Sequence, residues 1–136
     1  MFSWNDYSIV ATRLHKYSKI NSTMTEGFLR SAVSRAYYAA YHTVLDYAKS
    51  KGYVERTYRS YLKGIGARDL GSHGVLIRFL LNDSDTNVNQ LGAALDRCRY
   101  MRTECDYDDS VLINDRYTTV ACRSVDNILS LVSTLP

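Results

Sequence analysis

Proline is almost absent from this chain: the one proline, Pro136, is the last residue. Nothing of that kind therefore interrupts a helix before the C-terminal end. Glycine is scarce, with seven residues, and strand-like alternation is rare. Together these absences exclude a turn-rich β fold and predict an all-α one. No apolar run is long enough to span a bilayer, so no membrane contact is expected. No block of like charges occurs, which excludes a nucleic-acid-binding tail. The three cysteines, Cys98, Cys105 and Cys122, lack metal-ligand spacing. The opening segment MFSWNDYSIV lacks the basic and apolar regions of a secretory signal. With an odd cysteine count, that predicts reduced thiols in a cytoplasm.

What is present points to one helical domain over residues 1–136. A chain of that length can bury a substantial core without disulfides or metals. Seventeen basic residues against fourteen acidic give a net charge of +3. So mild an excess permits RNA or DNA binding without indicating it. Twelve tyrosines stand out. Tyrosine packs as an aromatic yet keeps a polar tip, which suits half-buried seams.

The apolar spacing predicts five helical stretches. The first covers about Asp6 to Lys19, with Tyr7, Val10, Leu14 and Tyr17 on one stripe. A polar break follows at 20–24, where a Thr or Ser can cap the next helix. The second and longest covers about Thr25 to Lys51, with Gly52 placed to end it. Its Ala32, Ala36 and Ala40 form a small-residue ridge that lets a partner helix approach closely. In residues 53–71, Tyr58, Tyr61 and Leu62 are spaced for a short helix, but Gly64, Gly66 and Gly71 break it, and the segment reads as a partly ordered connection. Ser72 is placed to cap a third helix from His73 to Leu81. A fourth covers about Thr86 to Asp106. The last begins at Asn114 as cap, with Tyr117, Val120, Ala121, Val125, Ile128 and Val132 on its buried face.

The stretch Ser34 to His42, SRAYYAAYH, holds the chemistry. On a helix, Arg35 and His42 are about 20° out of register and ~10.5 Å apart along the axis. A permanent cation and a group that titrates near neutrality thus share a face. His42 can move a proton, and Arg35 can clamp a phosphate by two parallel hydrogen bonds. Tyr38, one turn from Arg35, can add a hydroxyl. RNA carries its own nucleophile, the 2′-OH, so a base and a fixed cation suffice for cleavage without metal or cofactor. The plainer alternative is packing, with His42 hydrogen-bonded in an aromatic helix and Arg35 meeting a carboxylate. Spacing alone favours that alternative.

Arg102 forms a second candidate, because it falls on the apolar stripe of its helix and a half-buried guanidinium needs an anion. Asp106, four residues on, can pair with it. Asp108, Asp109 or a phosphate are the other candidates. An Arg–Asp pin between helices, closed by Tyr107, is the favoured account. His73 fits a cap or turn, and His15, between Arg13 and Lys16, reads as exposed. The acidic group Asp106, Asp108 and Asp109 reads as a solvated turn, and Gly64-Ile65-Gly66 lacks the Lys of a phosphate loop.

Three segments resemble the HEPN domain family. FLRSAVSRAYYAAYHTVLDYAK resembles its signature helix, S-R-x-Y-Y-A-x-[FY]-H. SHGVLIRFL resembles its His-led third helix. ALDRCRYMRTECDYD resembles its late R-x-x-x-D-Y region through Arg102, Asp106 and Tyr107. The matches keep family order across about residues 28 to 108. The resemblance implies an up-and-down bundle of four to five helices that dimerises through the signature helices. It also implies a metal-independent endoribonuclease of toxin–antitoxin or antiphage systems. Its R-x(4–6)-H motif would be Arg35 and His42, with Tyr38, Arg102, Asp106 and Tyr107 supporting. Toxins encoded beside nucleotidyltransferases carry their Arg and His late in the chain. Here the late segment has no His, which leaves the early pair. The alternative within the family is a non-catalytic dimer that binds RNA or nucleotide and scaffolds a partner such as a nucleotidyltransferase.

Overall fold

The computed structural model describes residues 1–20 and 25–136. The cap expected from a Ser or Thr at 20–24 falls on 21–24, outside the described residues. The fold is an all-α bundle built from α1 (Asp6–Ser18), α2 (Thr25–Ser50), α3 (Glu55–Gly64), α4 (Ser72–Leu81), α5 (Thr86–Tyr107) and α6 (Asp115–Thr134). No helix among the described residues is long and apolar enough to cross a membrane.

The hub is α2, which packs against α1, α4, α5 and α6. Its composition explains this position. Ala32, Ala36, Ala39, Ala40 and Ala48 are all buried, so neighbouring helices meet a surface with little side-chain bulk. Ala11 of α1 shares a core with Ala36 and Ala40, together with Val44, Leu76, Leu80, Leu91, Leu95 and Ile128. Each fully buried Leu or Ile there contributes roughly 1.5–3 kcal/mol. A smaller cluster of Leu29, Val33, Cys105, Ile113 and Ala121 lies at the other end of α2.

Helix ends follow local chemistry. Gly52 takes φ +89°, and its N–H donates to the Lys49 carbonyl at 3.0 Å, ending α2 as expected. Asp85 accepts from the Asn87 N–H at 2.8 Å, and Asn114 from the Tyr117 N–H at 2.9 Å, capping α5 and α6. Gly92 brings α5 against α4: a Cβ there would sit 2.9 Å from the Leu80 Cβ.

Four expectations need correction. Residues 53–71 are not merely a connection, because α3 forms within them. Arg59 explains why: it bonds Glu55 across one turn at 2.7 Å and reaches forward to the Leu70 carbonyl, so one side chain secures both helix and loop. Ser72 is not the cap of α4. Gly71 occupies that position, and the Ser72 hydroxyl donates instead to Glu55 at 2.8 Å. The buried face of α1 centres on Ala11 and Ser18, while Val10 and Tyr17 of the expected stripe are exposed. On α6, Val120 is likewise exposed.

Candidate functional site

Arg35 and His42 lie on the outer side of α2, and each meets the aromatic N-terminal segment. Trp4 stacks on the His42 ring, with centroids 3.4 Å apart and planes 8° from parallel. The Arg35 guanidinium lies 5.0 Å from the centre of the Tyr7 ring. Trp4 and Tyr7 touch edge to face at 5.4 Å, and Phe2 packs on both. An aromatic bridge thus connects the two polar groups. Arg35 is exposed and pairs with no carboxylate among the described residues, contrary to the plain packing account. His42 is half-buried, and neither ring nitrogen has a hydrogen-bond partner among the described residues. Burial holds its pKa below the ordinary value, with Asp46 opposing and Lys49 assisting. That shift favours the neutral imidazole.

The other flank of α2 gathers residues from all three segments named above. Tyr37 of α2 shares a 2.5 Å hydrogen bond with Nδ1 of His73 at the start of α4. Tyr41 stacks on the same imidazole at 4.1 Å. Arg102 of α5 places its guanidinium 5.2 Å from the Tyr37 ring, 5.6 Å from Tyr38 and 5.8 Å from Tyr107. Ser34 donates to Asp106 at 3.3 Å. Tyr38 and Tyr41 both border His42 as well, at 6.3 and 5.0 Å between ring centres. Burial first, then the positive charges of Arg102 and Arg99, push His73 down to about 4. Burial likewise raises the Tyr37 hydroxyl well above its usual range.

Of the residues expected at a site, Tyr38, Arg102, Asp106 and Tyr107 therefore converge. His42 touches the edge of their cluster, and Arg35 stands at the rim of the adjoining cleft. That cleft, of about 430 Å³, is lined by Arg30, Ser31, Ser34, Arg35, Tyr38, Cys105 and Asp106. His73 belongs to the cluster rather than to a simple cap. Its position in SHGVLIRFL was the available signal, but neither Tyr37 nor Tyr41 was separable from packing by spacing. His15 is not an exposed, roleless side chain either: it bonds Asp115 at the start of α6 through Nε2 at 2.6 Å.

The expected Arg102–Asp106 pin is not formed between helices. The pair lies within α5, with Nη1 to Oδ2 at 3.5 Å. A four-residue spacing aligns both side chains along one helix, and their contacts to α2 are the Ser34–Asp106 hydrogen bond and the tyrosine faces under Arg102. Arg30 is the residue that ties α2 to α5. It donates to the carbonyls of Glu104, Cys105, Asp108 and Val111 while pairing with Glu26 at 2.9 Å. Of these acceptors, the Cys105 carbonyl lies in the last turn of α5 beyond the reach of an intrahelical donor, while the Glu104 carbonyl also accepts from the Asp108 N–H at 3.0 Å.

Burial raises the thiols of Cys98 to about 11, Cys105 to about 12 and Cys122 to about 11, leaving them protonated at neutral pH. No group of three or more metal-ligating side chains occurs among the described residues. Comparison with family models, curated proteins and solved structures finds no match to this chain.

Proposed function

We propose that this chain is a metal-independent endoribonuclease of the HEPN type, a toxin or antiphage defence effector, which acts as a dimer through the outer side of α2. The observation that carries this is the state of Arg35 and His42. Both stand on one helix, and neither has a polar partner among the described residues. The meeting of the three HEPN-like segments around Arg102 and His73 supports the family reading.

The chemistry requires little. Neutral His42 accepts the proton of an RNA 2′-OH. The 2′-oxygen forms a bond to phosphorus, and the bond to the 5′-oxygen breaks. The imidazolium so formed, or that of the partner subunit, returns a proton to the leaving oxygen. The products are a 2′,3′-cyclic phosphate and a 5′-OH. Arg35 from both subunits holds the non-bridging oxygens as negative charge develops on them. The lowered pKa of His42 suits the first step, because only the neutral ring is a base.

A second reading is a non-catalytic dimer that binds RNA or nucleotide and scaffolds a partner such as a nucleotidyltransferase. Trp4 favours it, since it covers one whole face of the His42 ring. Incubation of the purified protein with total RNA in EDTA separates the two. Cleavage leaving cyclic phosphate ends, lost in His42→Ala with the dimer intact, is the expected result. Cleavage retained by that variant would overturn the assignment. RNA binding by the wild type without any cleavage would favour the scaffold.

A further inference from the structure

We propose that the cleft between α2 and α5 is a phosphate-binding subsite, with Arg102 as its buried anchor and Asp106 as the carboxylate that a bound phosphate displaces. This holds whether or not His42 cleaves RNA.

A buried cation with an unpaired donor lies beside this cleft. Arg102 is 8% exposed, yet it donates no hydrogen bond among the described residues. Its Nε is buried without a partner. Its one ionic neighbour is Asp106, at 3.5 Å from Nη1. Leaving even one N–H of a buried guanidinium unpaired is costly. Beyond the Asp106 pair, the faces of Tyr37, Tyr38 and Tyr107 soften that cost. Aromatic rings attract the cation and leave its N–H edge open to an anion.

Asp106 holds the position of that anion loosely. Its contacts to Arg102 and Ser34, at 3.5 and 3.3 Å, are both at the long limit for such pairs. Its side chain keeps a quarter of its surface exposed, so a rotamer change carries it into solvent. The cleft it leaves is rich in donors: the Ser31, Ser34 and Tyr38 hydroxyls and the unpaired Arg35 at the rim. The Arg35 guanidinium and three hydroxyls line the opening itself, and Arg102 lies next to it behind Asp106, which both lines the cleft and pairs with Arg102 at 3.5 Å. With Asp106 turned away, this set suits a tetrahedral oxyanion. At about 430 Å³ the cleft has the size of a small-ligand site. Arg30 lines the same cleft but is fully engaged by carbonyl groups and Glu26, so it shapes the wall rather than binding the ligand.

The chemistry recognised is the phosphate group itself, borne by a mononucleotide or by an RNA backbone. Binding of inorganic phosphate, AMP and a 2′-O-methylated RNA oligonucleotide to the full chain, read by calorimetry, tests it. The methylated RNA cannot be cleaved, so the result is independent of catalysis. Arg102→Met is expected to weaken phosphate binding at least tenfold while leaving the melting temperature close to wild type. Asp106→Asn, which removes the competing charge at a surface position, is expected to tighten phosphate binding several-fold. Ser34→Ala is expected to weaken it a few-fold. RNA binding much tighter than AMP assigns the site to the backbone; equal affinities assign it to mononucleotides. No phosphate binding by the wild type, or weaker binding by Asp106→Asn, would overturn the proposal. So would unfolding of Arg102→Met, which would make Arg102 a structural pin.

Discussion

Two arginines on the two longest helices meet burial in opposite ways. Arg30 of α2 makes six hydrogen bonds, to Glu26 and to four carbonyls at the end of α5 and in the loop after it. Arg102 of α5 is less exposed, yet it makes none among the described residues. The difference lies in what surrounds each. Arg30 faces a helix C-terminus, where unpaired carbonyls supply acceptors in a fixed array. Arg102 faces tyrosine rings and the partly exposed Asp106 carboxylate, 3.5 Å away. A buried cation whose donors are all used is a part of the scaffold. One held by a single, partly exposed carboxylate is where the proposed anion exchange would occur.

Arg30→Met attacks this contrast most directly. It removes the charge and takes their donor from the carbonyls of Cys105, Asp108 and Val111, so a loss of about 3 kcal/mol or more is expected in urea unfolding. A loss below about 1 kcal/mol would erase the distinction between the two arginines.

The next effect sharpens the contrast through pH. His73 sits beside Arg102, and its pKa of about 4 lies below the ordinary value of 6.5. The unfolded chain therefore takes up the proton first as pH falls. Stability is full above about pH 6.5 and drops toward pH 4, on the order of 2 kcal/mol once partial exposure of the ring is discounted. His73→Gln is expected to flatten that slope in thermal melts between pH 7 and 4. An unchanged slope would remove His73 from the account. Arg102→Met carries the smallest expected effect on stability, within about 1 kcal/mol in either direction, because the methionine fills the same apolar surroundings without idle donors.

Much of the fold was legible from spacing. The apolar periodicity located five of the six helices, and Gly52, Asn114 and the alanine ridge acted as expected because each depends on local geometry alone. The helix α3 escaped because glycines follow it closely and its apolar residues are few. Its support comes from Arg59, whose bond to the Leu70 carbonyl spans the loop. Site residues were legible in part. Arg102 announced itself as a charge on an apolar stripe. Arg30 did not, since an arginine in the first turns of an amphipathic helix looks like any solvated one.

The residue order by itself determined an all-α chain, a small-residue face on α2, and which polar groups interrupt apolar stripes. These follow from interactions within a few residues. Only the tertiary structure decided that Tyr37 meets His73, that Trp4 covers His42, and that Arg30 rather than Arg102 ties α2 to α5. Those contacts join residues far apart in the chain, and they are set by how whole helix faces pack. Whether a buried charge is satisfied depends on that packing, because the acceptors that satisfy it come from another helix.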